Sequence, residues 1–392
     1  MNNIASILFL FLVIFDPQVP FFPAGVGVTA FIPFFLVIPV LYKITHTKSR
    51  ASFFLFKTFP YFILFGVLFL FIAIRLFSSE SGDFSIIFSF FKAFLVFLSV
   101  VFVFLVFYAD ESPSTFFYAL FSIFLMNSLI NFVAASMPSH FEFLNLFREP
   151  TAKDPNSSNL YRYSFLSGSG YYSIGTAYGL MVLLVAFYVS KFRVKSLFFL
   201  LSTVVILLSG FIAARTSFFA IFSSFVYLSK ASFRSLLILT LTFFLIFYIL
   251  VSYTDLGYYE TWMLSFFNFS ENSSGSHLLD QMYFWPGDKV FLFGMAKVND
   301  GSFPYTDSGY MQDLLFGGII FVFLKTSYLF LFFKDFFSRF PFFVILVCFS
   351  ILVFQFKGAF LYSNPHGMAV FYSLFLFMHS FKREKLKSMQ GV

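Results

Sequence analysis

The sequence has little charge and almost no cysteine. Only 11% of its 392 residues are charged and 59% are hydrophobic, whereas roughly 25% of the residues in a soluble domain are charged. Cys348 is the only cysteine, which excludes an intrachain disulfide and argues against a thiolate metal site. The chain also lacks GxGxxG, Walker, HExxH and CxxC motifs. These shortages exclude a large soluble domain and argue against a reaction driven by a nucleotide bound to this chain.

Long apolar runs fill the sequence instead. A run of about 20 residues, rising ~1.5 Å per residue, crosses a ~30 Å hydrocarbon core. The first run lacks a basic start and a small-residue cleavage site, so we interpret it as a retained helix and not as a signal peptide. The fold class we expect is an all-α polytopic membrane protein that forms a single integral membrane domain over residues 1–392. Hydropathy and chain-breaking residues predict twelve spans, at 3–17, 23–42, 53–77, 85–108, 114–137, 169–190, 196–213, 216–229, 235–252, 309–333, 341–356 and 365–380.

Basic residues predict the orientation of these spans. Twelve spans place both termini and all the strongly basic connections on one side, which the positive-inside rule makes cytoplasmic. The net charge of +7 follows from this topology, so we expect no nucleic-acid partner. The opposite side carries two long loops, 138–168 and 253–308, where we expect the functional site. The basic connections are 43–50, 191–195, 229–234, 334–339 and 382–387.

Several cations lie within or beside the apolar spans. The topology puts Arg75, Lys92, Arg215 and Lys357 towards the outer side. Lys325 lies nearer the cytoplasmic half, where we expect it to reach the surface or to pair with a helix terminus. A charge at the bilayer centre costs on the order of 3 kcal/mol, so such residues face protein, water or a ligand. The alternative for each is a side chain that extends to the lipid headgroups.

Four short segments carry a resemblance to a known family. They are the hairpin "LLSGFIAARTSFFAIF" (207–222), the loop and helix "YTDSGYMQDLLFGGI" (305–319), "SGSGYYSIGTAYGLMVLL" (167–184) and "FKGAFL" (356–361). Together they resemble the O-antigen polymerase family, membrane enzymes that join lipid-linked oligosaccharide repeat units and are related to the O-antigen ligases. Asp307 stands in the region where ligases and some polymerases carry a histidine, which argues against a histidine-assisted mechanism and against a ligase. Asp307 and Ser308 can equally be the cap of the helix that follows them.

The resemblance implies a GT-C-like fold in the bacterial inner membrane, with an active site that faces the periplasm. The implied reaction transfers a growing glycan from undecaprenyl diphosphate to an incoming undecaprenyl-diphosphate-linked oligosaccharide. Donor and acceptor lipids are thus the expected partners, in the surrounding membrane lipid. A chain-length regulator and the flippase are further candidate partners.

The chemistry of that reaction selects candidate residues. Negative charge builds on the departing diphosphate, and preorganised cations stabilise it. We therefore expect the diphosphate to bind Arg215, Arg162, Lys357, Arg75 and Arg148. A carboxylate or an imidazole would take the proton of the acceptor hydroxyl. The candidates, in order, are Asp307, His277 and Glu142.

The chain offers no Asp-x-Asp motif beside these residues, so we expect a metal-independent reaction without a cofactor. The main alternative is a flippase or transporter for the same kind of lipid-linked sugar, followed by a ligase. Transporters usually have short loops on both sides and internal repeats. The two long loops on one side and the lack of a repeat therefore favour the polymerase.

Overall fold

The described part of the chain is helical. The computed structural model describes residues 2–18, 27–46, 50–79, 82–148, 165–168, 170–192, 194, 196–253, 281–298, 301, 303–361 and 363–390. Regular structure within these ranges consists of α-helices, three short 3₁₀ turns and one π-helical turn. The only extended pairing within them is an isolated bridge between Gln18 and Gly27.

Thirteen α-helices are present in the described ranges. They are α1 (Asn2–Phe15), α2 (Ile32–His46), α3 (Ala51–Phe77), α4 (Ser85–Val103), α5 (Pro113–Ser136), α6 (Tyr171–Phe192), α7 (Leu197–Ala213), α8 (Ser217–Ala231), α9 (Phe233–Tyr253), α10 (Asp288–Phe293), α11 (Gly309–Phe337), α12 (Pro341–Lys357) and α13 (Pro365–Gln390). A π-helical turn, Phe104–Tyr108, continues α4.

Each predicted span overlaps one of these helices, so an α-helix in each of the twelve segments is confirmed within the described residues. Within the described ranges, six helical segments are long and apolar enough to cross a membrane. This supports a multi-pass membrane protein. The six are Val28–Thr45, Ala51–Phe77, Ser85–Tyr108, Pro113–Ser136, Tyr171–Phe192 and Gly309–Phe337. Five shorter apolar helices accompany them, at Ile4–Phe15, Leu197–Ala213, Ser217–Ala231, Phe233–Tyr248 and Pro341–Lys357.

Local signals set the helix ends. Ser112 accepts a hydrogen bond from the Thr115 amide, and Pro113 occupies the first position of α5, where its missing N–H costs nothing. Ser196 caps α7 in the same way. At the other end of the chain, Gly358 follows the last residue of α12. These punctuation residues explain why the apolar runs predict the helix bounds closely.

The chain divides into two compact units. The first comprises Met1–Pro60, Ala93–Leu239 and Pro365–Val392. Helix α6 is its central element. Nearly all of its residues are buried, and it packs against α7, α8 and α13. Phe117 and Tyr188 stack face to face, with ring centroids 3.7 Å apart. Such aromatic contacts, together with small residues along α6, hold this unit together.

The second unit comprises Tyr61–Lys92 and Thr240–Asn364. Here α10 packs on α11, and α11 packs on α12. The Tyr61 ring stacks on Phe332 at 3.9 Å, and its hydroxyl donates a hydrogen bond to the Leu331 carbonyl at 3.1 Å. The sequence does not predict α10, since only six residues form it within a polar loop.

Candidate functional site

A buried ion pair organises the second unit. Asp313 and Lys325 are 6% and 4% exposed, and Asp313 Oδ1 accepts a hydrogen bond from Lys325 Nζ at 2.5 Å. The other carboxylate oxygen accepts a hydrogen bond from Gln355 Nε2 at 2.8 Å. Removing two charges from water is costly, and a mutual pair with further hydrogen bonds offsets that cost. The expectation that Lys325 reaches the surface or a helix terminus is therefore wrong.

Gln355 ties this pair to the motif that follows α12. Its side-chain oxygen accepts hydrogen bonds from the backbone amides of Phe360, at 2.8 Å, and Leu361, at 3.1 Å. The "FKGAFL" segment therefore turns around Gln355. One amide side chain thus orients both the buried carboxylate and the loop.

Helix α11 is broken at Gly318. This residue has φ 68° and ψ −169°, a conformation that is open to glycine and strained for other residues. A side chain at Gly318 would overlap the Leu292 carbonyl. On an unbroken helix, residues 12 positions apart would be separated by about 18 Å along the axis. The break is what lets Asp313 and Lys325 meet.

Backbone groups from the loop after α10 cap the break. The Met295 amide donates to the Leu315 carbonyl at 2.7 Å, and the Ala296 amide donates to the Phe316 carbonyl at 2.9 Å. Interrupted helices leave carbonyls without a partner, and such groups are costly in an apolar environment. The loop supplies hydrogen bonds to two of these carbonyls, and it thereby stabilises the break in α11.

A cavity of about 250 Å³ opens beside the ion pair. Both halves of α11 line it, through Asp313 and Gln312 on one side of the break and Lys325 on the other. Asp83, at the loop before α4, also lines it. Further lining side chains are hydroxyls and aromatic rings, namely Ser85, Ser89, Ser363, Phe90, Phe316 and Phe321. The second unit therefore holds a polar cavity with charged groups inside a largely apolar protein.

Arg75, one of the predicted diphosphate ligands, belongs to this unit. Its Nη2 donates a hydrogen bond to the Gly294 carbonyl at 3.2 Å. Its Nε is buried and has no hydrogen-bond partner in the part of the chain that the structure describes. Ile72, one helical turn earlier on α3, lines the cavity. Arg75 thus holds the loop that caps the break in α11.

Arg215 belongs to the first unit, in the three-residue turn between α7 and α8. Ser217 Oγ closes this turn with a hydrogen bond to the Gly210 carbonyl at 2.8 Å. Gly175 on α6 lies so close to Ala214 that a side chain there would overlap it. The segment that follows the "SGSG" motif therefore packs directly on the Arg215 turn.

Two hydroxyls near this turn are buried without a partner among the described residues. They are Thr216 Oγ1, in the turn itself, and Ser209 Oγ, one helical turn before the end of α7. Buried polar groups are nearly always hydrogen-bonded, and each of these two hydroxyls can still donate or accept a hydrogen bond. Arg215 itself is half-buried.

Arg148 and Glu142 lie in the first long loop, at a 3₁₀ turn, Glu142–Phe147. Arg148 is 5% exposed and donates from Nη1 to Asn145 Oδ1 at 2.9 Å. Burial lowers the pKa of Arg148 to about 10, so the guanidinium stays protonated at neutral pH. Glu142 is exposed to solvent. Arg148 thus has a local structural contact, while Glu142 has none of the burial typical of a tuned base.

Asp307 and Lys357 flank the second unit's helices. Asp307 is exposed and accepts a hydrogen bond from the Tyr305 hydroxyl at 2.6 Å, which raises the pKa of Tyr305. Ser308, and not Asp307, is the N-cap of α11, through a bond from the Met311 amide. Lys357 is the last residue of α12, where the helix dipole favours a cation.

The remaining two candidates, His277 and Arg162, lie outside the described residues. Arg75 and Lys357 belong to the second unit, as does Asp307, while Arg215, Arg148 and Glu142 belong to the first.

A histidine outside the candidate list links three segments of the first unit. His366, at the start of α13, is fully buried, and its Nδ1 lies 2.8 Å from the Ile14 carbonyl. Because a carbonyl only accepts, Nδ1 carries a proton, and Nε2 is hydrogen-bonded to Ser167 Oγ at 2.6 Å. This arrangement fastens α1 and the "SGSG" segment to α13.

Together these features define a protein that is helical throughout its described part and that has helices with the length and composition of those in a multi-pass membrane protein. Comparisons of the chain with known protein families, with curated proteins and with solved structures find no match.

Most residues of the cavity and of the buried pair were not predicted from the sequence. Asp313, Asp83 and Gln355 are not among the candidate residues. A detectable signal exists for Gln355, because a lone amide within an apolar run needs a partner. Asp83 carries no such signal, since it lies in a polar connection.

Proposed function

We propose that the chain is a glycosyltransferase of the O-antigen polymerase type. It transfers a growing glycan from undecaprenyl diphosphate to the sugar hydroxyl of an incoming lipid-linked repeat unit. The observation that carries the proposal is the Arg215 turn, with its cation at the start of α8 and its buried hydroxyl at Thr216. The four motifs that resemble the polymerase family support it.

The placement of Arg215 is electrostatically unusual. The N-terminal end of a helix carries a partial positive charge, which stabilises anions there and disfavours cations. Arg215 and the start of α8 therefore add two positive contributions at one place. An arginine fork at a helix start suits a diphosphate, since it gives paired, charge-assisted hydrogen bonds. The Thr216 hydroxyl supplies one more donor.

Such a site would act on the leaving group. As the bond between sugar and phosphate breaks, negative charge grows on the diphosphate, and removing one preorganised donor typically costs ~3 to 4 kcal/mol of barrier. The proposed base is Asp307, which precedes α11 and is held by Tyr305. The reaction is metal-independent and runs at the periplasmic face of the bacterial inner membrane.

A complementation experiment tests this function. Deletion of the gene in its source organism should leave lipopolysaccharide capped with a single repeat unit, and the intact gene should restore long chains. Arg215→Ala should fail to restore them, although the protein reaches the membrane. Arg215→Lys should restore them only in part, because an ammonium lacks the planar fork.

The matched control is Arg234→Ala, at an exposed arginine on a connection predicted to be cytoplasmic. We expect normal chains from it. Full-length chains in the deletion strain, or from Arg215→Ala, would refute the proposal. A bare lipopolysaccharide core after deletion would point to a ligase instead.

A transporter for lipid-linked sugars is the second candidate function. The observation in its favour is the broken helix α11 with its buried ion pair. Discontinuous helices and intramembrane charges recur at the substrate sites of transporters. Repeat units that accumulate on the cytoplasmic leaflet after deletion would favour this function.

A further inference from the structure

We propose that the cavity at the break in α11 is a binding site for one sugar ring. The inference deepens the proposed function and rests on it in one respect, that the ring belongs to the lipid-linked oligosaccharide. The carrying observations are the size of the cavity, its mixed lining and its charge.

The size favours a small ligand. Sites for drug-sized molecules usually span ≈ 300–1,000 Å³, and this cavity measures about 250 Å³. The cavity lies just below that range, at a size that suits a single ring better than a lipid tail or a folded peptide. The oligosaccharide would therefore enter by one residue, with the rest of the glycan outside.

The polar lining supplies both hydrogen-bond donors and hydrogen-bond acceptors. Ser89 and Ser363 offer hydroxyls that both donate and accept. Asp83 offers a carboxylate, one oxygen of which is bonded to the Ser85 amide at 2.9 Å. Because each sugar hydroxyl both donates and accepts, a lining of carboxylate and hydroxyl groups can pair with several of them at once. An apolar ligand would leave these groups unpaired.

Aromatic rings supply the complementary apolar walls. Phe90, Phe316 and Phe321 line the cavity beside the polar groups. The two faces of a sugar ring present C–H groups, which pack favourably on aromatic surfaces, whereas its edge presents hydroxyls. Ligand sites generally combine apolar walls with a few placed polar groups. This lining therefore matches a ring that is polar at the edge and apolar on its faces.

The charges argue against ions as the ligand. Lys325 is paired with Asp313, so Asp83 leaves the lining with net negative charge. An anion would meet a carboxylate without a surplus cation to bind it. A metal ion is disfavoured by the donor set, because both Asp313 oxygens are engaged by Lys325 and Gln355. Among the described residues, no group of three or more His, Cys, Asp or Glu side chains could hold a metal.

Ligand-dependent thermal stability tests the site without any turnover. The purified protein in detergent micelles is heated with glucose, galactose, mannose, rhamnose or N-acetylglucosamine. Sorbitol at the same concentration controls for the general stabilisation that polyols produce. At least one sugar should raise the melting temperature by about 2 °C more than sorbitol, because a ligand that binds only the folded state stabilises it.

Two matched variants locate the effect. Ser89→Leu fills the cavity from α4 and should abolish the extra shift. Ser136→Leu, at the exposed end of α5, should keep it. The inference is overturned if no sugar exceeds sorbitol, if Ser89→Leu is protected as well as the parent, or if phosphate or an amino acid protects in place of a sugar.

Polymerisation assays on the same two variants separate this inference from the proposed function. If the protein binds the sugar but makes no polymer, the sugar-binding site is supported and the polymerase function is refuted. If Ser89→Leu makes polymer with an unchanged KM, the polymerase function is supported and the sugar-binding site is refuted. The thermal shift and the polymerisation assay can be run on the same preparation of each variant.

Discussion

Breaking the buried pair between Asp313 and Lys325 should destabilise the protein strongly. Both side chains are buried, and their N–O distance is 2.5 Å. Removing one partner leaves the other charge buried and uncompensated, which typically costs about 3–5 kcal/mol. Lys325→Met should therefore lower the free energy of unfolding by that amount. Asp313→Asn should cost less, at the lower end, because Gln355 can still bond to the amide.

The double replacement of both residues should cost less than Lys325→Met alone, since neither charge then remains in the interior. Buried pairs replaced by neutral groups of similar volume are often neutral in stability. The free energy of unfolding is measured by equilibrium denaturation in mixed micelles and analysed as a double-mutant cycle.

An exposed pair in the first unit supplies the control. Lys43 Nζ lies 3.0 Å from Asp110 Oδ2, and both side chains are partly exposed. Surface pairs contribute ≈ 0–1 kcal/mol, so Lys43→Met should have little effect. If the two replacements in the buried pair each cost under about 1 kcal/mol and add without coupling, the pair is not desolvated and the reasoning fails.

Three smaller predictions concern single residues. Gly318→Ala should destabilise the protein by about 1–2 kcal/mol or more, because the φ of Gly318 is positive and the site is crowded. Gly66→Ala, in α3, has open space around it and should be neutral or stabilising by up to about 1 kcal/mol. Thermal unfolding of the two variants compares these effects. Asp307→Asn should lower the pKa of Tyr305 towards its ordinary value of about 10, since the raised pKa comes first from that hydrogen bond, and an unchanged ultraviolet titration would contradict this. Cys348 is buried, so a maleimide should label it only after denaturation, and rapid labelling of the folded protein would show that α12 packs differently.

Helix positions were predictable because the information for them is local. Apolar runs of the right length fall between residues that stop helices, such as Pro113 at the start of α5 and Gly358 after α12. The bounds differ by up to ten residues where this punctuation is weak. For α2 the span was predicted to begin at residue 23, but the helix begins at Ile32, after a 3₁₀ turn, Val28–Ala30.

The cavity was not predictable, because it depends on contacts between distant residues. A pair of glycines in an apolar run, as at 317 and 318, is typical of close helix packing, whereas Gly318 breaks the helix. From the sequence alone, Asp313 and Lys325 lie on one uninterrupted apolar segment, too far apart to touch. Only the break reverses that conclusion, and the break depends on the loop around Met295 that caps it.

The Arg215 turn falls between these two cases. Its position between two apolar helices follows from the sequence, since a short polar interruption separates two runs. Its contact with the start of α6, through Gly175 and Ala214, does not. Gly175 belongs to the segment 167–184, which resembles the family in sequence. The structure therefore places two of the family-like segments in direct contact.

The most direct test of the central claim is polymerisation by the purified protein. The protein is reconstituted in lipid vesicles with a defined undecaprenyl-diphosphate-linked repeat unit, with and without a chelator, and the products are separated by length. A ladder of glycans several repeats long, unchanged by the chelator and absent for Arg215→Ala, is the predicted result. Unreacted single units that merely cross the bilayer, or a ladder that needs a divalent metal ion, would contradict the account.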